Sequence, residues 1–321
     1  MLTQIHLLVR LPNHLGDTIM ALPALQRLAD SGCALTLAGR AWAGTLLAAY
    51  PWRVLALPAG RWARWRALRA ALAQDLRADA AVLLTNSFST ALEMRLLNVP
   101  ATGYASDARG WLLHNAVAIP PRWPALQMHM VEYYDALAGA WLGQRERTVP
   151  ALQLVLAPTA RSEAAALLHG AGINGEYVLL CPGATGTHHG QVKTWRGFAA
   201  LCDQLLARGL CVVACPGPRE RAYVQSTLPH ARLLPDCDVA VFAALLERAR
   251  IVVANDSGPS HLAAAVGARL ITVFGATEPQ RTRPWSPRVR IVGENSRWPD
   301  LAEVKDAVEQ MLVAPPAYPP A

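Results

Sequence analysis

Four short loops concentrate the residue types that handle an anion or move a proton. The segment Asn255-Asp256-Ser257-Gly258-Pro259-Ser260-His261 follows the apolar run IVVA and opens the run HLAAAVG. Asp256 or Ser257 suits a helix N-cap, Pro259 suits the first turn, and Gly258 lets another group come close. N–H groups at a helix start, aligned with the helix dipole, attract phosphate, and His261 reaches the same anion. A well-capped helix with a surface histidine explains these residues equally well. The second loop, Pro182 to Trp195, reads PGATGTHHGQVKTW and also runs from a strand to a helix. Its glycines, its hydroxyls at Thr185 and Thr187, and Lys193 suit a phosphate-cradling turn. The spacing does not fit a Walker A loop. Lys193 is one of two lysines in an arginine-rich chain, the other being Lys305. A compact ammonium is therefore a meaningful choice there, although a glycine-rich surface turn is the plainer reading.

The third loop is Cys215-Pro216-Gly217-Pro218-Arg219-Glu220. Glu220 can accept hydrogen bonds from a ribose diol, but an acid in the first turn of a helix explains it on its own. The fourth, Leu11-Pro12-Asn13-His14-Leu15-Gly16-Asp17, follows the first strand. Asp17 is a candidate general base, with His14 as the other. Taken as an isolated aspartate, Asp17 reads better as an N-cap. Asp236-Cys237-Asp238 matches a metal-binding D-x-D pattern, yet it stands directly before VAVFAALLERA, where capping accounts for it. No metal site is expected, since the adjacent His188 and His189 have no further ligands and Cys211 and Cys215 have no second cysteine pair. A basic aromatic stretch, RWARWRALR, places Arg61, Arg64 and Arg69 on one broad helix face with Arg66 off it. That face suits anionic sugars, phosphates or lipid headgroups; the commoner case is a solvated helix that Trp62 and Trp65 anchor to a sheet.

Elements that can position these loops alternate along the chain. In the first half, strands are predicted at Ile5–Val9, Ala34–Ala38, Val54–Leu57 and Ala81–Leu84. Helices are predicted at Thr18–Ala29, Ala41–Ala49, Arg61–Leu76, Ser89–Leu97 and Met128–Leu142. After a proline-bounded linker, Pro150–Pro158, the pattern restarts. Strands are predicted at Tyr177–Cys181, Cys211–Cys215, Ile251–Ala254 and Leu270–Phe274, with helices at Phe198–Arg208, Arg219–Leu228, Val239–Ala249 and Pro259–Val266. Strands alternating with helices imply βαβ units and parallel sheets. The fold class is thus α/β, with two doubly wound, Rossmann-like domains of roughly 150 residues each, residues 1–152 and 153–313, and a Pro-rich tail at 314–321. Two such domains facing across a cleft would line it with the carboxyl ends of both sheets, where open α/β sheets bind ligands.

Composition narrows the class. Of 321 residues, 53% are hydrophobic and 17% charged, which excludes a disordered chain. The six scattered cysteines show no disulfide framework and fit a reducing compartment. No run of about 18 apolar residues occurs, and the start lacks a basic n-region, so a cytosolic location is expected. The net charge is +7. Residues 1–155 hold 14 Arg against 9 acids, the larger share of the excess, so the first half is the better candidate for an anionic partner.

Four segments together resemble the glycosyltransferase family 9 heptosyltransferases: RLPNHLGDTIMALPALQRL, PGATGTHHGQVKTWRGFAALCDQLLARG, CPGPRE, and ANDSGPSHLAAAVGARLITVFGATEPQRTRPW. The helix HMVEYYDALAGAWLG is also similar. The resemblance covers most of the chain, with Leu35–Pro124 carrying little of it. It implies a GT-B fold whose first domain binds the acceptor and whose second binds the nucleotide sugar. It also implies inverting, metal-independent transfer of heptose from an ADP-sugar, a substrate rather than a cofactor, to the inner core of lipopolysaccharide. Asp17 would be the base. Lys193 with Thr185 or Thr187 would hold the diphosphate, Glu220 the ribose, and Asp256, Ser257, Gly258 and His261 the phosphate and sugar. Residues near Leu234–Val239 would flank the nucleobase of the donor. Arg61 and Arg64 would help hold the anionic acceptor, and the enzyme would sit peripherally at the inner membrane with no nucleic-acid partner. Two departures stand out: Thr187-His188-His189-Gly190 lengthens the loop before Lys193, and Ser257 replaces the commoner Thr. Two rival readings are a nucleotide-sugar epimerase on the same fold and a non-catalytic nucleotide-sugar-binding protein.

Overall fold

The computed structural model describes residues 4–183, 187–188, 191–192, 194–294 and 296–313, with backbone alone at 187–188 and 191–192. The chain divides into two compact units, Met1–Pro150 and Ala151–Ala321.

The first unit runs β1 (His6–Arg10), α1 (Leu15–Met20), α2 (Leu22–Asp30), β2 (Ala34–Gly39), α3 (Trp42–Leu46), β3 (Arg53–Ala56), α4 (Arg61–Gln74), β4 (Ala80–Leu83), α5 (Phe88–Leu96), β5 (Ala101–Tyr104), a 3-10 turn η1 (Gly110–Leu112), β6 (Asn115–Val117) and α6 (Met130–Trp141). Its parallel sheet has the order β3-β2-β1-β4-β5-β6. On one face, Leu68 and Ala71 of α4, Ala91 and Met94 of α5 and Leu112 of η1 share a core with Leu8 and Leu83 of the strands. Helix α6 packs against α1 and α2. Between α2 and α6, Asp135 takes Arg27 at 2.6 Å and Arg147 at 2.9 Å, with the Arg27 and Asp135 side chains almost fully buried. Gly139 makes room for this ion pair, because a Cβ there would lie 2.7 Å from Arg27 Nη1.

The second unit runs α7 (Pro158–Gly170), β7 (Val178–Cys181), the short antiparallel pair β8 (Thr187–His188) and β9 (Gln191–Val192), α8 (Phe198–Ala207), β10 (Val212–Ala214), α9 (Arg221–Thr227), β11 (Arg232–Leu233), α10 (Val239–Arg248), β12 (Ile251–Asn255), α11 (Gly258–Ala265), β13 (Leu270–Val273), α12 (Pro279–Thr282), β14 (Val289–Val292) and α13 (Leu301–Val313). Its parallel sheet, β11-β10-β7-β12-β13-β14, repeats the strand order of the first unit. In both sheets the order reverses beside the first strand, between β1 and β4 and between β7 and β12. Ligands of doubly wound sheets bind at the carboxyl ends of such a pair.

Three departures from the sequence reading have physical causes. The single helix expected over Thr18–Ala29 is two, α1 and α2, with Ala21 between them. Pro23 has no N–H to donate one turn back, so it starts a new helix instead of continuing the old one. The segment expected as a linker, Pro150–Pro158, is held by the second unit. Leu152, Leu154 and Leu156 are buried at every second position, Leu152 N–H donates to the Trp285 carbonyl, and Leu154 N–H donates to the Ala265 carbonyl. Pro158 then opens α7, a helix the sequence reading did not name. Strands β5, β6, β11 and β14 are further elements the sequence reading lacks: β6, β11 and β14 are sheet edges with exposed positions and no continuous apolar run, and Thr102 and Gly103 interrupt β5.

Candidate active site

Three of the four loops singled out above meet in the second unit, because β7, β10 and β12 are neighbours in its sheet. Cys181 of β7 pairs in register with Ala254 of β12, which sets Pro182 beside Asn255. Asn255 is fully buried. Its Nδ2 donates to the Pro182 carbonyl at 2.7 Å, and its Oδ1 accepts the Trp195 N–H at 3.0 Å. One amide therefore ties the entry of the glycine-rich loop to its exit. Trp195 is itself fixed, its indole N–H donating to the Pro299 carbonyl at 2.8 Å and its ring set edge-on to Phe198. Asn255 was inside a quoted loop but was not picked out from sequence. The signal was there: an amide ending an otherwise apolar strand needs partners when buried.

The anion-binding candidates Thr185 and Lys193 lie outside the described residues, and Thr187 is described only as backbone in β8. Gly183 sits so close to Glu220 that a Cβ would lie 2.9 Å from the Glu220 carboxyl carbon. The loops after β7 and β10 thus touch through that carboxylate. Burial raises the Glu220 pKa above its ordinary value. Glu220 is the N-cap residue of α9 without a side-chain capping bond, so its carboxylate is not accounted for by the helix. The segment expected to flank the base is also pinned. Arg221 Nη2 donates to the Leu234 carbonyl at 2.7 Å, and the Cys215 and Cys237 sulfurs are 3.5 Å apart. Asp238 of the D-x-D sequence caps α10, accepting the Ala240 N–H at 2.8 Å.

At the end of β12, Ser257 is the N-cap of α11, with Pro259 in the first turn. The Ser257 N–H donates to Ser260 Oγ at 3.3 Å, and Ser257 Oγ donates to the Asn255 carbonyl at 3.2 Å. Gly258, the first helical residue, has an N–H with no intrahelical acceptor. His261 is buried, not a surface histidine, and its Nε2 stands 3.8 Å from Asp256 Oδ1. The other Asp256 oxygen accepts the Thr277 hydroxyl at 2.5 Å. Thr277 lies in the loop after β13, a loop that sequence reasoning quoted without assigning it a role.

In the first unit, Asp17 is half-buried in the first turn of α1. It is not an N-cap, as its isolated reading suggested: His14 holds that position, and makes no side-chain capping bond. Asp17 lies near Tyr134 of α6, whose phenol pKa is pushed far up, first by burial and then by the Asp17 charge. The loop carrying it is shaped by Arg10, a buried arginine at the end of β1. Arg10 donates to the Leu11 and Ala38 carbonyls at 2.7 and 3.1 Å and to Asn13 Oδ1 at 3.0 Å. Burial lowers the Arg10 pKa to about 10, so it stays cationic at neutral pH. At the neighbouring strand ends, fully buried Arg109 binds the carbonyls of Thr85 at 2.5 Å and Tyr104 at 2.9 Å. Neither arginine was flagged from sequence, where nothing separates a buried guanidinium from an exposed one. Arg61 is exposed. Arg64 is paired with buried Glu93 at 2.9 Å and donates to the Ala59 carbonyl. Trp62 is 71% exposed, so it does not anchor α4 to the sheet.

Residues 65–311 match the model of glycosyltransferase family 9 (heptosyltransferase). The chain belongs to glycosyltransferase family 9. It is a glycosyltransferase, and its two Rossmann-like units are those of the GT-B fold. Lipopolysaccharide heptosyltransferase 2 of Salmonella typhimurium is 28% identical over 275 residues, 78% of this chain and 77% of that protein. The structure of Escherichia coli ADP-heptose lipopolysaccharide heptosyltransferase II superposes with a TM-score of 0.79 at 22% identity, covering 96% of this chain and 99% of that one. The E. coli heptosyltransferase WaaC with ADP gives 0.73 at 21% identity, covering 96% and 100%. The family match begins at Trp65 and so does not include Leu15-Gly16-Asp17.

Proposed function

We propose that this enzyme transfers heptose from an ADP-sugar to the inner core of lipopolysaccharide with inversion at the anomeric carbon. The observation that carries the reading is the convergence of Gly183, Glu220 and the Asp256–His261 turn at the carboxyl ends of β7, β10 and β12, around the buried Asn255. In this reading the diphosphate lies against the glycine-rich loop and the start of α11. Lys193, with Thr185 or Thr187, holds it, and Ser257, Gly258 and His261 complete the contact. Glu220 accepts hydrogen bonds from the ribose, and Leu234–Val239 flanks adenine. Asp256 is an acceptor-only carboxylate. It suits the sugar hydroxyls and the orientation of His261 better than a phosphate.

Transfer is a single displacement. The acceptor hydroxyl oxygen forms a bond to the anomeric carbon as the bond from that carbon to the diphosphate oxygen breaks. ADP departs with the electron pair, and the proton goes to Asp17. Charge grows on the diphosphate as the bond breaks, so Lys193 and the N–H groups at α11 stabilise the transition state more than the ground state. These donors supply the leaving-group stabilisation that a metal supplies elsewhere, and Asp238 is occupied as a helix cap. We therefore propose metal-independent transfer. The acceptor is a membrane lipid. None of the described helices is long and apolar enough to cross a membrane, so the reading includes peripheral contact with the cytoplasmic face of the inner membrane.

The test is ADP release from ADP-heptose with and without heptose-deficient lipopolysaccharide, in the presence of EDTA. The reading expects release that depends on the acceptor and is indifferent to EDTA, with a heptosylated product. Conversion of the donor alone would indicate the epimerase, and ADP binding without turnover would indicate a binding protein.

A further inference from the structure

Beyond Arg61 and Arg64, which the family resemblance assigns to the acceptor, the outer side of the α4–α5–η1 layer carries charge and apolar surface that the proposed transfer does not use. The three elements cover one face of the first sheet through a shared core, so their opposite sides face outward. Buried Glu93 joins α5 to Arg64 of α4, and Phe88 of α5 stands 6.2 Å from Trp111 of η1, ring centre to ring centre. Trp62 is 71% exposed, Trp111 74% and Phe88 40%. The exposed charges on these elements are Arg61, Arg66, Arg69 and Arg95, with no exposed acid among them; Asp107 lies in the turn before η1. Arg69 stacks over the Trp65 ring at 5.2 Å. Wide tryptophan exposure is unfavourable in water. Tryptophan is enriched at the membrane–water interface, and arginines beside it attract anionic headgroups.

We propose that this layer is the membrane-docking face of the enzyme, with Trp62, Phe88 and Trp111 entering the headgroup region of an anionic bilayer and Arg66, Arg69 and Arg95 contacting its phosphates. The choice of a bilayer rests on the reading of a lipid-anchored acceptor, while the face itself is carried by exposure and charge. A basic patch alone would suit any polyanion. The adjoining exposed aromatics select a surface with an apolar interior.

Flotation of the full chain tests this directly. Vesicles containing phosphatidylglycerol are compared with vesicles of phosphatidylcholine alone, without lipopolysaccharide. The protein is expected to float with the anionic vesicles, less so as salt rises. Trp62→Ser with Trp111→Ser should cut binding at least tenfold. Arg66→Gln with Arg69→Gln should cut it on the order of 25-fold, about fivefold per arginine. Both variants should keep the wild-type Tm and wild-type transfer to a deacylated, water-soluble acceptor. Wild-type flotation by both variants would overturn the proposal. So would absence of binding to anionic vesicles, or a dimer that the tryptophan substitutions dissolve while flotation persists. If the protein floats as expected but transfers no heptose, the proposed function falls and the docking face stands. If it transfers heptose to the soluble acceptor but does not float, the reverse holds.

Discussion

Asn255 couples the two ends of the glycine-rich loop through one side chain, and that makes it the most informative single residue outside the proposed chemistry. Asn255→Ala removes a donor to the Pro182 carbonyl and an acceptor for the Trp195 N–H, leaving both backbone groups buried and unpaired. The expected cost is about 1–3 kcal/mol of stability, read from urea melts, together with weaker ADP binding because the loop ends are no longer tied. Asn255→Asp keeps the acceptor but sets a carboxylate against the Pro182 carbonyl in a fully buried site, so it should cost at least as much as the alanine change. Unchanged ADP affinity in the alanine variant would separate the loop from the donor. Glu220 makes a complementary prediction. Burial raises its folded pKa, so the native state holds the neutral form more tightly than the unfolded chain does. Its contribution to stability is therefore greatest below the unfolded value, near 4.5, and is lost as pH rises through the folded value. Glu220→Gln should raise Tm at pH 7, show little gain below pH 4.5, and weaken ADP binding through loss of the proposed ribose acceptor. A Tm that falls at pH 7 would show that the carboxylate has a compensating partner in the fold.

At the scale of elements, the first unit depends on the junction of α2 and α6. Asp135→Ala would strand Arg27 in a nearly dry site, and removing one partner of such a pair costs about 3–5 kcal/mol. Urea unfolding should show that loss. A change under 1 kcal/mol would mean that water or a rearranged Gln144 replaces the carboxylate. Which elements could be read from sequence follows from their length and burial. Val178–Cys181 and Ile251–Asn255 are apolar runs bounded by turn residues, and both were recognised within a residue or two. Strand β6, Asn115–Val117, is three residues with two exposed, and offers no pattern to read. Helix α13 is legible as well, with Val304, Ala307 and Val308 buried at helical spacing, although the sequence reading names no element there. In the site, Asp256, Ser257, Gly258 and His261 declared themselves because a strand-to-helix turn has a local signature. Thr277 did not, because its role comes from a hydrogen bond to a loop 21 residues away; Asn255 declared that it needs partners, as an amide ending an apolar strand, but not that one of them lies 73 residues away.

For the whole molecule, the two sheets share one strand order, and each places its candidate residues at the point where that order reverses. The proposed reaction divides its chemistry accordingly: in it the second unit holds the leaving group and the first supplies the base. Two roles on two units should separate under mutation. Asp17→Asn changes a charge while keeping the shape of the side chain and leaves every donor-binding candidate intact. The account predicts that the rate of heptose transfer falls by at least a hundredfold, in the range general-base removal produces, while the Kd for ADP stays within about twofold of wild type, a difference of less than ~0.5 kcal/mol. Transfer by Asp17→Asn at the wild-type rate would contradict it.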